Sequence, residues 1–358
     1  MKVDDNNTKK SKQKIKCVVW DLDNTIWDGI LMENDNVSLN EGIIDIIKTI
    51  DNRGILQSIA SKNEQDIAMH KIRELGINEY FIYPQINWNK KSESILTISK
   101  LFNINIDTFA FIDDEPFELE EVKYFLPAVL CINSKNIDGI LCMDEFNPEF
   151  ITEDSGMRRS MYIKDIERKR LEEEYSGSHE EFLALLDMKL KICEAKDGDL
   201  SRVIELTERT HQMNTTGYIY TYNELDCFRR SEKHKLLMVS LDDKFGTYGK
   251  VGIVLLECLE DLWTIKLLIL SCRIMSRGIG AILVNYVSAL AKENSVRLHA
   301  EFVSNDRNRT MYVTYKFAGF HEIIKKGNFY ILENDLANIQ PFPKYIEVIT
   351  NNEIENEK

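Results

Sequence analysis

As far as Ile132 the chain alternates between two hydrophobic periods. Short, mostly apolar segments at Cys17–Trp20, Ile55–Ala60, Tyr80–Tyr83, Thr108–Ile112 and Val129–Ile132 read as strands, the first of them an apolar run buried on both faces. Between them lie stripes at helical spacing. Ile43, Ile46, Ile47 and Ile50 form one, with Ser38-Leu39-Asn40-Glu41 ahead of it at capping-box spacing. Ile67, Ile72 and Leu75 form a second, closed by Gly76 just beyond the helix end. Ile95, Ile98, Leu101 and Phe102 form a third, and Phe117 to Phe125 reads as a fourth helix. Strands alternating with helices predict a parallel sheet with helices on both faces.

The pattern then changes. Thr152 to Glu174 is charged, and Met161, Ile166 and Leu171 are too sparse for a buried helix, so the segment reads as a connector that breaks at Tyr175-Ser176-Gly177-Ser178. Phe182, Leu183, Leu185 and Leu186 open a second core. Met188–Cys193 alternates as a strand, Leu200–Thr210 is helical, and Lys235–Leu241, Val251–Cys258 and Thr264–Leu270 are further strands. A helix through Ile282, Val284 and Leu290 follows. The expected fold class is α/β throughout. The boundaries drawn are a disordered basic arm at 1–14, a first domain at 15–150, a helical connector at 151–178, a second domain at 179–345 and an acidic tail at 346–358. Two domains also suit the 358-residue length.

Composition narrows the class. The chain is 44% hydrophobic and 29% charged, which is ordinary for a globular protein. No apolar run reaches the roughly 18 residues that would cross a bilayer, and Met1 to Lys16 lacks the apolar stretch of a secretory signal. The seven cysteines are odd in number and show no paired metal-ligand spacing, which fits reduced thiols and a cytoplasmic location. A net charge of −14 argues against a general nucleic-acid binder, so an anionic partner needs a local basic patch.

The candidate chemistry sits where strands end. Asp21 and Asp23 follow the first run directly, with Asn24 and Thr25 behind them. In an extended segment the two carboxylates point the same way, close enough to share a hard cation such as Mg2+. The plainer reading is a strand-to-turn boundary built from turn formers. Taken in order, the later strand ends add Ser61, then Lys91, then Asp113 and Asp114. Ligand crevices of open α/β sheets lie outside the carboxyl ends of the strands. Carboxylate pair, hydroxyl, amine and second carboxylate pair are the parts phosphoryl chemistry needs: a nucleophile, a proton carrier, phosphate-holding groups and a metal site.

Asp21-Leu22-Asp23-Asn24-Thr25, Ser61, Lys91 and Asp113-Asp114 resemble the four motifs of the haloacid dehalogenase superfamily of phosphatases. The resemblance implies a Rossmann-like domain with Asp21 as nucleophile and Asp23 as general acid and base. It implies Mg2+ held by Asp21, Asp23 (also through its backbone), Asp113 and Asp114. Thr25, Ser61, Lys62, Asn63 and Lys91 are then expected around the phosphate. Only about thirty residues separate the first motif from the second strand, which leaves room for a minimal cap and an open crevice.

In the second half, Arg209-Thr210-His211-Gln212-Met213-Asn214-Thr215-Thr216 is a polar run, read either as a surface loop or as a binding segment. The strand ending at Leu270 opens into Ser271-Cys272-Arg273-Ile274-Met275-Ser276-Arg277-Gly278-Ile279-Gly280 and then a helix, an arrangement that cradles phosphate oxygens. With Tyr315-Lys316-Phe317-Ala318-Gly319-Phe320 further on, this half resembles the GNAT acyltransferase fold, a mixed α/β sheet. That resemblance implies an acyl or pantetheine site at His211, Gln212, Asn214, Phe245, Gly246, Arg273, Arg277, Gly278 and Gly280. Cys272 is the candidate catalytic thiol, made nucleophilic by Arg273 and Arg277 nearby. Lys244 and Lys250 are candidates for a positive docking rim.

Together the halves resemble the FkbH-like glyceryl transferases of polyketide biosynthesis. The marks are Asp21 to Trp27, Ser61-Lys62-Asn63, Phe111-Ile112-Asp113-Asp114, Thr152-Glu153-Asp154 and Leu270-Ser271-Cys272-Arg273. His211, Met213 and Thr247 stand where that family is expected to carry Asn, Phe and Asp. The resemblance implies transfer of a glyceryl group from 1,3-bisphosphoglycerate, with dephosphorylation, to the phosphopantetheine thiol of an acyl carrier protein, with neither nucleic acid nor membrane as partner. The alternative is a small-molecule or protein phosphatase fused to an unrelated acetyltransferase-like module. A non-catalytic carrier-binding module is a third class.

Overall fold

The first apolar run forms β1 (Cys17–Trp20), completely buried, and it becomes the central strand of a five-stranded sheet. The structure is a computed structural model that describes residues 13–350 apart from Asp35 and His211. Almost all of the expected basic arm, the last eight residues of the expected tail and the His211 candidate thus lie outside the described residues. The chain divides into two units, 1–163 and 164–358.

In the first unit β2 (Trp27–Asp28) pairs with β3 (Ser38–Leu39) as a short antiparallel ladder. Then come α1 (Ile43–Asn52), β4 (Leu56–Ser61), α2 (Gln65–Glu74), β5 (Gln85–Ile86), α3 (Lys91–Phe102), β6 (Phe109–Asp113), α4 (Pro116–Phe125) and β7 (Leu130–Asn133). The sheet order is β5-β4-β1-β6-β7, parallel throughout, as the strand–helix alternation predicts. Ile43, Ile46, Ile47 and Ile50 bury the α1 stripe.

Two expectations fail locally. Ser38 does not cap α1, because it is committed to the ladder opposite Asp28; Gly42, at φ 75°, is the capping position instead. Tyr80–Tyr83 is not a strand. Tyr80 ends a 3-10 turn (Asn78–Tyr80), Phe81 makes one bridge to Gln57, and Tyr83 turns left-handed at φ 56° before Pro84, so the ladder with β4 forms only at β5.

After α5 (Glu153–Gly156) comes α6 (Arg158–Glu174), within which the two units divide. Its sparse apolar pattern has a concrete cause: it buries arginine rather than leucine. Arg168 is wholly buried and donates from Nε and Nη2 to Asp243 at 2.7 Å each and from Nη1 to Asp165 at 2.8 Å, with its guanidinium 3.8 Å from the Tyr248 ring centroid. A paired, planar guanidinium is the cation best suited to such a site.

The second unit continues with α7 (His179–Ala184), β8 (Met188–Glu194), α8 (Leu200–Arg209), α9 (Tyr222–Arg230), β9 (His234–Asp243), β10 (Gly246–Cys258), β11 (Leu262–Leu270) and α10 (Ile279–Glu293). It ends with β12 (Arg297–Val303), α11 (Arg309–Phe317), β13 (Phe320–Lys326), β14 (Phe329–Asn334) and β15 (Ile346–Thr350). The eight-stranded sheet has the order β13-β14-β12-β11-β10-β9-β8-β15. The pairs β11–β12 and β8–β15 are parallel and the rest antiparallel, so the mixed α/β expectation holds. The start of the segment read as a tail belongs to this sheet: Ile346 pairs with Met188 and is buried, so the alternation of Ile346 and Val348 was strand pattern. Among the described residues no helix is long and apolar enough to cross a membrane.

β11 and β12 are paired only from Leu262–Ile265 and Arg297–Ala300 and then part. Residues 213–215 fill the gap. The Leu270 amide donates to the Met213 carbonyl at 2.9 Å, and the Thr215 amide to the Leu268 carbonyl at 3.1 Å. The Leu268 amide donates to the Thr215 hydroxyl at 3.0 Å and the Val303 amide to the Thr215 carbonyl at 3.0 Å. The polar run is therefore neither a surface loop nor an open binding segment at these positions. It is a buried wedge whose polar groups complete a sheet, which is how buried backbone groups must be satisfied.

Candidate functional site

Parallel strands bring their carboxyl ends to one edge, so β1, β4 and β6 deliver Asp21, Ser61 and Asp113 side by side. Ligand oxygens of Asp21, Asp113 and Asp114 lie within 4.8 Å of one another. Lys91, the first residue of α3, is buried against them. Its Nζ donates to Asp21 and, at 2.8 Å, to the Ala60 carbonyl, and stands 3.2 Å from Asp113 Oδ2. Burial pulls the amine down, but the Asp21 and Asp113 charges outweigh it and hold the ammonium form above its usual range. Burial pushes Asp113 up to about 7 against the pull of Lys91, with the Asp21 charge adding to the rise. Burial and Asp21 raise Asp114 as well.

Asp23 is elsewhere in this arrangement. Its Oδ1 accepts from Trp27 Nε1 at 2.7 Å and from the Leu31 amide at 3.1 Å, and its Oδ2 accepts from Asn63 Nδ2 at 3.1 Å. The expectation that Asp21 and Asp23 point alike and share a cation through their side chains is corrected. The chain leaves extended geometry at once: Asn24 is left-handed at φ 51°, and the Thr25 and Ile26 amides turn back to the Leu22 carbonyl. Burial raises Asp23 against the pull of the Trp27 and Leu31 hydrogen bonds.

The phosphate candidates divide in the same way. Thr25 and Ser61 are buried at the edge, and the Thr25 hydroxyl has no hydrogen-bond partner among the described residues. Lys91 is in the cluster. Lys62 instead pairs with Glu118 at 2.6 Å, and Asn63 is spent on Asp23 and, through Oδ1, on the Glu64 amide at 3.1 Å. Sequence reasoning missed Trp27 and Leu31 as partners of Asp23. It also missed Glu115, whose amide donates to Asp113 Oδ1 at 2.8 Å, and Asn133, whose Nδ2 donates to the Asp114 carbonyl at 3.1 Å.

The donor set fits Mg2+. It is all carboxylate oxygen, and Asp113 Oδ2 is buried without a well-aligned hydrogen bond, its nearest cation being Lys91. Asp21, Asp113 and Asp114 are the side chains that would hold the ion. Chelation is expected to abolish phosphate release and added Mg2+ to restore it. Independently of activity, Mg2+ is expected to raise the unfolding temperature of the wild type and to raise that of Asp113→Asn much less.

In the second unit Cys272 is half-buried, outside any disulfide, and opens a 3-10 turn (Cys272–Arg277) after Ser271. Of the flanking arginines, Arg273 donates from Nη2 to the Tyr248 carbonyl at 2.8 Å, and Arg277 donates from Nη1 to Glu172 at 3.2 Å beside the Phe182 ring. Gly278 caps α10 at φ 74°, and a Cβ there would meet the Tyr345 hydroxyl at 2.5 Å; at Gly280 it would meet Leu270 at 3.3 Å. Asn214 is buried, and its Oδ1 accepts the Thr216 and Gly217 amides, while Gln212 is half-buried. Phe245 and Gly246 lie at the β9–β10 turn around Arg168, whose Nη2 donates to the Gly246 carbonyl at 3.1 Å. The docking-rim candidate Lys250 is paired with Asp199 at 2.7 Å.

Residues 9–123 match the haloacid dehalogenase-like hydrolase family. The comparison with curated proteins gives no match. Among solved structures, the chain is similar to the N-terminal part, containing a phosphatase domain complexed with Mg, of a Bacteroides fragilis protein. The identity is 28% over 42% of this chain and 39% of that one, with a TM-score of 0.29. A haloacid-dehalogenase-superfamily hydrolase from Ehrlichia chaffeensis is 16% identical over 38% of this chain and all of that one, TM-score 0.32. The ribosomal-protein-S18-alanine N-acetyltransferase from Escherichia coli is 13% identical over 43% of this chain and 97% of that one, TM-score 0.32. The family match thus falls on the unit built around the five-stranded parallel sheet, and the second unit is built on a separate, mixed eight-stranded sheet.

Proposed function

We propose that the first unit removes phosphate through a covalent phosphoaspartate at Asp21. The observation that carries this is the division of labour among four carboxylates: Asp21, Asp113 and Asp114 converge, whereas Asp23 is held apart by its own N–H donors. An Asp21 oxygen attacks phosphorus while the bond to the leaving oxygen breaks, and Asp23 gives that oxygen its proton. In the second half-reaction Asp23 takes a proton from the water that attacks phosphorus, which frees Asp21 and inorganic phosphate. Lys91 offsets the charge of Asp21 and Asp113. Bound Mg2+ supplies charge neutralisation at the phosphoryl oxygens.

The finer reading is an FkbH-like glyceryl transfer. The Cys272 sulfur attacks the carbonyl of the acyl phosphate in 1,3-bisphosphoglycerate, expelling one phosphate and leaving a thioester. The phosphatase site removes the remaining phosphate ester, and the glyceryl group passes to the pantetheine thiol of an acyl carrier protein. Support comes from the motifs of both halves on one chain and from a thiol placed where β11 ends. Intact-protein mass spectrometry tests it. With 1,3-bisphosphoglycerate alone, a hydroxylamine-sensitive glyceryl adduct is expected on Cys272 of the wild type and none on Cys272→Ser. Carrier loading by Cys272→Ala at the wild-type rate would establish direct attack by the pantetheine thiol. Phosphate release without loading of any carrier would leave the phosphatase with an unrelated acyl module.

A further inference from the structure

We infer that Trp27 is a positioning residue for Asp23, acting with Asn63 to fix which carboxylate oxygen handles the proton. The inference rests on the phosphatase reading above. Both N–H groups on Oδ1, from Trp27 and Leu31, are in good hydrogen-bonding range, whereas among the described residues Oδ2 receives Asn63 alone. A carboxylate oxygen with two donors has its lone pairs engaged; one with a single donor keeps a site free. Oδ2 is therefore the oxygen that carries the proton to the leaving group and later takes one from water.

The supports of this clamp are rigid. Trp27 is fully buried, pairs with Leu39 across the β2–β3 ladder, and bridges back to Asp23. Asn63 is buried too, and because its Oδ1 accepts the Glu64 amide, its NH2 group must face the carboxylate. The strength of the arrangement is directional. The indole N–H, at 2.7 Å, is the shortest of the three contacts and the only one on Oδ1 from a side chain. Losing it frees the carboxylate to rotate, and displacement of a catalytic group by about 1 Å is costly.

The test compares two substrates in the presence of Mg2+: an alkyl phosphate, whose alkoxide leaves only with a proton, and 4-nitrophenyl phosphate, whose phenolate leaves without one. Trp27→Phe keeps an aromatic ring but removes the donor. Replacing Trp27 by 3-benzothienylalanine keeps the bicyclic shape and exchanges only N–H for sulfur, so it tells against a folding artefact. General acid catalysis contributes about 10²–10⁴-fold, and loosening its carrier is expected to cost at least about tenfold in kcat/KM on the alkyl phosphate. The same constant on the aryl phosphate should change by less than about twofold by the same reasoning, since kcat/KM reports formation of the phosphoaspartate and that step needs no proton when a phenolate leaves. Equal losses on both substrates in both variants, or no loss in either, would overturn the positioning role. A wild type inactive on both substrates would instead overturn the phosphatase reading beneath it.

Discussion

Asp21→Asn is expected to lower phosphate release by at least about a thousandfold while the protein stays folded, because the amide is nearly isosteric with the carboxylate and a far poorer nucleophile. The side chain is buried at the end of β1 and receives Lys91, so the variant keeps a hydrogen-bond acceptor for the ammonium group. The checks are an inorganic-phosphate assay with Mg2+ and a thermal unfolding curve. Release within about tenfold of wild type would show that another group attacks phosphorus, since loss of a covalent nucleophile is never so mild.

Lys91→Met is expected to be nearly as damaging, for a different reason. The ammonium group is almost entirely buried between Asp21 and Asp113, and Met fills much of its volume without its charge. Two carboxylates then remain in a desolvated cluster with Asp114 beside them. Removing one partner of a buried ion pair typically costs roughly 3–5 kcal/mol, which should appear as a lower denaturation midpoint at low divalent concentration. Mg2+ should bind more tightly to the variant than to wild type, because the competing positive charge is gone. Titration calorimetry reads that directly, and weaker binding together with an unchanged midpoint would refute the role given to Lys91.

The first sheet was legible because β1 and β6 are almost wholly apolar and α1 carries a clean buried stripe; α2 and α3 are less regular, since Ile67 and Leu101 of their stripes face water. Strand ends announced Asp21, Ser61 and Asp113. What the sequence could not show was the use made of side chains across long separations. Asn63 looks like a phosphate ligand beside Ser61, yet its amide lies against Asp23, forty residues earlier in the chain. Lys62 is a free-looking cation until Glu118 is folded next to it. Asp23 shares a two-residue period with Asp21 only if the backbone stays extended, and the turn at Asn24 ends that. In the second unit α9, α11 and the strands β12 to β15 show no clean period: β13 exposes most of its residues, and β12 buries Glu301 against Lys266. The buried Arg168 made α6 look less anchored than it is.

The wedge at residues 213–215 bears on the order in which the second unit assembles. The bond between Leu268 and Thr215 spans 53 residues, and that between Asn308 and the Asn214 carbonyl spans 94. Contacts so distant in sequence demand large loop-closure entropy before they return any energy. β11 and β12 can zip together from Leu262 and Arg297 without the wedge, but their diverging ends leave amides and carbonyls bare until it arrives. Insertion of this segment is therefore expected late in folding, and a chain with the strands formed and the gap open would expose two unpaired sheet edges to its neighbours.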